Sequence, residues 1–187
     1  MWDPDERSGA VRTARIVSDQ WDLCDNFTMI AAVRVFWGIC IFRDGPERAP
    51  SHPAFVLLLL LVDLLFASAM FATLTDLSAI ASATEVGARI CISGVLIWVA
   101  LRLANHPERF SRAFAAILGA DILIGSLMAL ALIATGGNVV LALPFTIWNV
   151  AISAFILHRA MEVPMVLGAS TAIVVFILTN TLVEAWS

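Results

Sequence analysis

Two aspartates stand inside long apolar runs of this sequence, where a carboxyl group is costly. Asp63 lies within FVLLLLLVDLLF and Asp121 within AILGADILIG. Because an ionised carboxylate in hydrocarbon is expensive, we expect both side chains to face other helices or a wet cavity, and to be protonated unless a cation compensates them. A carboxyl group that alternates between charge states can carry a proton or bind a cation. Two carboxyls together can also serve as acid and base.

A polar residue recurs at nearly the same depth in five successive apolar runs, about nine residues or about 14 Å from one end. These candidate residues for an ion, proton or helix-bridging site are Asp63, Ser93, Asp121, Asn149 and Thr171. The structural alternative is that the protonated aspartates hydrogen-bond the other three and tie the helices together, at about 1 kcal/mol per bond. The sequence leaves both interpretations open.

No other constellation in the chain indicates catalysis, a cofactor or a metal. We find no phosphate-binding glycine loop, nucleophile elbow or haem-attachment motif. His158 has no second histidine at helical spacing, and the three cysteines form no CxxC pair. Catalysis by the two aspartates is the weakest interpretation. The sequence therefore predicts a protein that is not an enzyme and has no cofactor.

The composition is that of a membrane protein. Of the 187 residues, 60% are hydrophobic and only 14% are charged, and the mean hydropathy is +0.92. A soluble domain of this length cannot bury so much apolar surface in one core. All eleven basic residues are arginine, the net charge is −4, and no basic stripe that could bind nucleic acid is present.

Five stretches are long enough to cross a hydrocarbon core of about 30 Å. They are 53–74, 86–104, 112–134, 139–160 and 163–183. Since the connections between them are short, consecutive helices are expected to be antiparallel neighbours in sequence order. The fold class predicted is an all-α, polytopic bundle of five transmembrane helices over residues 53–184.

The distribution of arginine predicts the orientation of this bundle. Ten of the eleven arginines precede the first span or flank alternate loops, which places the N-terminus in the cytoplasm and the C-terminus in the periplasm of a bacterial inner membrane. The exception is Arg89, one turn into the second span. We expect it to pair with Glu85 and to extend toward the lipid headgroups.

Two segments precede the spans. Residues 1–26 mix acidic side chains with arginine and are expected to form a polar cytoplasmic tail rather than a secretory signal. Residues 27–43 are apolar but short for a span and contain Arg34, so we interpret them as an amphipathic helix along the cytoplasmic interface. A sixth membrane crossing is the alternative.

Three short motifs resemble a known group of membrane proteins. They are FRDGPERAP at residues 42–50, PERF at 107–110 and ILHRAM at 156–161. Together with five spans and a cytoplasmic N-terminus, they resemble small proteobacterial proteins similar to the Yip1 family. The resemblance implies a fold and hardly any activity, and neither the acidic tail nor the Asp63 and Asp121 pair maps onto the family.

Two functional hypotheses follow from the sequence. The first is a non-enzymatic accessory, scaffold or assembly subunit, which acts in the lipid bilayer through other membrane subunits or through copies of itself. The second is a small oligomeric transporter or channel, coupled to protons or cations through Asp63 and Asp121.

Overall fold

The computed structural model describes residues 29–75 and 78–185, so the predicted polar tail 1–26 lies outside the described residues. The chain divides into two compact units, Met1–Arg34 and Val35–Ser187. Within the described ranges the structure is helical and has no strand. Its α-helices are α1 (Met29–Cys40), α2 (Pro53–Thr75), α3 (Ala79–Leu103), α4 (Phe110–Ala134), α5 (Ala142–Met161) and α6 (Met165–Glu184).

Four of these helices, α2, α3, α4 and α6, are long and apolar enough to cross a membrane. Helix α5 has 20 residues, which is also a membrane length. It is not among these four, and it contains Pro144, Asn149, His158 and Arg159. The all-α class is therefore confirmed, together with four membrane-length apolar helices.

Helix α2 turns its apolar residues outward and its single acidic residue inward. Of its 23 residues, all of which the structure describes, only Asp63 is buried, at 6% exposure. Leu57 and Leu65, by contrast, are 58% and 70% exposed. Exposed leucines with a buried carboxyl are unfavourable in water. The same arrangement is favourable in lipid, because leucine side chains can contact the acyl chains and a carboxyl must be kept away from them.

The five long helices form a closed ring. Each packs against two others in the order α2–α3–α6–α5–α4, and α4 closes the ring against α2. The expectation that all sequence neighbours are packing neighbours is therefore wrong for α3 and α4, which make few contacts. Because the short connections reverse the chain each time, α2 and α4 run parallel as adjacent members of the ring.

Helix α3 begins at Ala79 instead of near residue 86, as the apolar run had predicted. Its first two turns include Ser82 and Thr84, which lower the apolar character without opposing the helix. Ser78 caps the start, since its side chain accepts a hydrogen bond from the Ala81 amide at 3.3 Å. The cap defines the helix start where hydropathy could not.

The second half of α1 packs against the ring. Phe36 stacks on Phe55 of α2 at 6.4 Å between ring centroids, and lies over Gly119 of α4, where a Cβ atom would collide with it. Ile39 and Cys40 are fully buried. This half of the segment predicted to lie along the interface is thus held by protein contacts.

Ion pairs join the connections at one end of the ring, which we call the arginine-rich end and which holds Arg102, Arg109, Arg112 and Arg159. Arg109 donates to Glu162 at 2.5 Å, and Arg159 lies 3.8 Å from Glu47. The hydrogen bond from Arg109 lowers the pKa of Glu162 below its ordinary value of 4.5. The pair thereby links the start of α4 to the turn between α5 and α6.

That turn brings α5 and α6 very close together. Gly168 of α6 faces the backbone of His158, and a Cβ atom at Gly168 would stand 2.8 Å from the His158 Cα and amide nitrogen. Only a glycine allows this approach, because backbone atoms cannot move aside as a side chain can.

Replacing Gly168 with alanine is expected to destabilise the bundle by about 1–3 kcal/mol, the usual cost of overpacking. The change in thermal unfolding of the purified protein in detergent measures this effect. Gly87→Ala in α3 is the matched control, since its Cβ would meet only Leu64 at 3.8 Å. Equal stability of the two variants would contradict the close packing at Gly168.

A second prediction concerns pH. The pKa of Glu162 in the folded protein lies below 4.5. Its ion pair with Arg109 therefore stabilises the fold above pH 4.5, and this stabilisation is lost as the pH falls through the folded pKa. The difference in unfolding temperature between the wild type and Glu162→Gln should therefore be present at pH 7 and shrink below pH 4.5. Glu47→Gln, which breaks a longer pair, should give a smaller difference at pH 7. A difference for Glu162→Gln that stays constant into acid would refute the role of this pair.

Candidate functional site

The ring of helices surrounds a cavity of about 470 Å³ to which all five long helices contribute. Four of the five residues predicted from the sequence line it: Asp63, Ser93, Asp121 and Asn149. Thr171 does not, because α6 turns other residues toward the cavity. A volume of this size is typical of small-molecule sites.

The two aspartates come together because their helices are parallel and adjacent. Asp63 is ten residues into α2 and Asp121 eleven residues into α4, so each lies about 15–16 Å from the arginine-rich end. Asp63 is buried and Asp121 is half-buried, and the two carboxyls are within electrostatic reach of each other. We call this pair the carboxyl layer.

Asn149 completes the carboxyl layer from α5. Its side-chain amide faces the Asp121 carboxyl closely enough to interact with it. Among the residues that the structure describes, none hydrogen-bonds the side chain of Asp63, which therefore offers its oxygens to the cavity. The two carboxyls consequently differ: one faces an amide and the other is open.

Ser93 and Thr171 do not join the hydrogen bonds of this layer. The Ser93 hydroxyl donates to the Ile90 carbonyl at 3.0 Å, and the Thr171 hydroxyl donates to the Leu167 carbonyl at 2.8 Å. Both are thus satisfied within their own helices, which is the usual solution for hydroxyls in apolar helices. Ser93 and Thr171 therefore do not bridge helices, and Asp121 with Asn149 is the pair for which that alternative stays a prediction.

Arg89 belongs to the same cavity, which the sequence had not predicted. Its expected pair with Glu85 is confirmed, with Nη2 to Oε1 at 2.8 Å. Its guanidinium does not simply extend toward the headgroups, however. It also donates to the Asn180 side chain of α6 and lies 5.8 Å from the centre of the Phe71 ring. Asn180 is 91 residues away in sequence, so no local pattern could reveal this contact.

The lining of the cavity differs between helices. On α2 it extends from Asp63 to Leu74, eleven residues or about 16 Å, toward the end opposite the arginines, whereas on α5 it also reaches Leu157, toward the arginine-rich end. One residue before Asn149, the Trp148 indole donates to the Cys40 carbonyl at 3.0 Å and joins the end of α1 to α5. In the described residues, no cluster of three or more His, Cys, Asp or Glu side chains could hold a metal ion.

No family model, curated protein or solved structure matches the chain. The resemblance to Yip1-like proteins stays a prediction from the three short motifs. What the site can bind must follow from its own chemistry, which is a carboxyl pair at one level of an apolar cavity and a guanidinium at another.

Proposed function

We propose that the protein is a small polytopic carrier that moves protons or a small cation through Asp63 and Asp121. The observation that supports this is the burial of Asp63. A helix with leucine on every side directs its one carboxyl into a cavity, next to a second carboxyl. A pair used only to tie helices together would be expected to have both members hydrogen-bonded, whereas Asp63 is open.

The chemistry requires only these groups. A proton or cation that enters the cavity binds the open Asp63 carboxyl, and Asp121, next to Asn149, lies within electrostatic reach. Binding one positive charge relieves the repulsion between two carboxylates in an apolar environment. Release restores that repulsion, so the site alternates between two charge states without a covalent step.

In this proposal α2 to α6 all cross a bacterial inner membrane, including α5. The arginine-rich end lies in the cytoplasm and the cavity extends toward the periplasm. In the same proposal α1 remains on the cytoplasmic side, and its second half, from Val35 on, packs against the ring. The accessory or assembly role is a separate proposal, and no contact within the described part of the chain favours it.

Proton flux into liposomes that contain the full-length protein tests the carrier. Asp63→Asn and Asp121→Asn, which keep size and polarity but cannot ionise, are each expected to reduce the flux at least tenfold. Glu108→Gln, a carboxyl outside the cavity and 64% exposed, is the matched control and should leave the flux unchanged. Gel filtration and thermal unfolding show whether each variant is folded. Full flux in both aspartate variants, for protons and monovalent cations, would refute the proposal.

Accessibility labelling tests the orientation. The three native cysteines are first replaced by alanine, and one cysteine is then introduced by Thr135→Cys or by Glu108→Cys. Residue 135 lies between α4 and α5, and residue 108 lies between α3 and α4. In spheroplasts, a membrane-impermeant maleimide should label Thr135→Cys, and should label Glu108→Cys only after the membrane is opened. The reverse pattern would place the arginine-rich end outside.

A further inference from the structure

The cavity has a second polar end, built around Arg89. The guanidinium lies 5.8 Å from the centre of the Phe71 ring, and Phe71 is eight residues beyond Asp63 along α2, toward the end opposite the arginines. Two of its partners hold it there, Glu85 on its own helix and Asn180 on α6. The arginine is therefore fixed in position before any ligand arrives.

Two donors at this end are buried without a partner. Among the described residues, the buried side-chain polar atoms that lack any hydrogen bond are Arg89 Nε and Thr179 Oγ1. Both residues line the cavity, and Thr179, only 7% exposed, is the neighbour of Asn180, which binds the guanidinium. Leaving a buried donor unsatisfied costs about 1–3 kcal/mol, so two such donors on residues that line one cavity indicate a missing acceptor.

Thr179 is a buried hydroxyl that does not bond to its own helix, whereas most hydroxyls in these helices do. Thr146 and Thr171 each donate to the carbonyl four residues earlier, at 3.0 and 2.8 Å, as do several serines. Thr179 has the same option and does not take it. Its hydroxyl is therefore available to a group that enters the cavity.

The surroundings define the chemistry of that group. The Arg89 Nε–H and the Thr179 hydroxyl can each donate to an oxygen of a carboxylate, which accepts two or more hydrogen bonds. Glu85 already neutralises the positive charge of Arg89. The ligand must therefore supply strong hydrogen-bond acceptors, and negative charge alone is not sufficient. Between this end and the carboxyl layer the walls are apolar and include Phe66, Met70 and Val175.

We infer that Arg89 and Thr179 form a binding site for the carboxylate of a small amphipathic acid, whose apolar body lies along the cavity toward the carboxyl layer. This inference rests on the proposed function and names its substrate class, an organic carboxylate that moves together with the proton on Asp63 or Asp121. The donors hold the anionic group at one level of the cavity, and the carboxyl layer holds the coupling ion at another.

Calorimetric titration of octanoate into the full-length protein in phosphatidylcholine nanodiscs tests this site, with empty nanodiscs as the blank. Octanoate should bind at least tenfold more tightly than octanamide, its uncharged analogue. Arg89→Gln should weaken octanoate binding at least tenfold, and Thr179→Val about fivefold. The matched controls are Thr171→Val on the same helix and Arg102→Gln on α3, both outside the cavity lining, and they should not change it.

Three results would overturn the inference. Equal binding of octanamide would show that charge is not recognised, and unchanged binding by Thr179→Val, which is small enough to keep the fold, would place the carboxylate elsewhere. Loss of octanoate binding in nanodiscs that contain phosphatidylglycerol would assign the donors to a lipid phosphate. Absence of octanoate binding with normal proton flux refutes only this inference. Normal flux in the aspartate variants, with octanoate still bound, refutes the proposed function instead.

Discussion

The structure depends on one constraint, which is that the carboxyl of Asp63 cannot face hydrocarbon. Helix α2 is apolar on all sides, so packing of leucine alone would leave its rotation about its own axis nearly free. A single buried carboxyl removes that freedom, because every rotation but one exposes it to lipid at a cost of several kcal/mol. The exposed leucines at positions 57 and 65 are the consequence of this choice. Asp63, the residue that is most costly to expose to lipid, therefore determines the rotation of α2 about its axis.

The order of the helices in the ring places the second aspartate, Asp121 of α4, next to Asp63 of α2. If the five helices packed strictly in sequence order, α2 and α4 would be separated by α3, and their aspartates would share a level without meeting. The contact between α3 and α6 lets α4 close the ring against α2, in parallel orientation. Parallel neighbours that start at the same end bring residues of equal depth together. The tight turn at Gly168 and the pair between Arg109 and Glu162 hold α5 and α6 where this closure requires them.

The sequence was sufficient for the elements that depend on local pattern and depth. Apolar length predicted the five long helices, and counting residues from the arginines predicted the common level of Asp63 and Asp121, since both follow from a fixed rise per residue. It was insufficient where partners are distant. The order of the ring, the rotation of α6 that excludes Thr171, and the contact between Arg89 and Asn180 all depend on packing between segments far apart in the chain. The start of α3 was misplaced because hydropathy does not register a serine cap.

The polar residues in these helices that indicate function are those whose hydrogen-bonding groups have no partner. A serine or threonine that donates to its own helix costs little in an apolar environment and indicates no function, and Ser93 and Thr171 are of this kind. The Asp121 carboxyl faces the Asn149 amide, and its neighbour is open. Among the buried side chains that the structure describes, Asp63 and Thr179 make no hydrogen bond, and the buried Arg89 Nε makes none either. All three line one cavity, two as donors at one end and one as an acceptor at the other. Unrelated defects of packing would be scattered through the bundle, whereas complementary groups at opposite ends of one cavity are what a bound molecule requires.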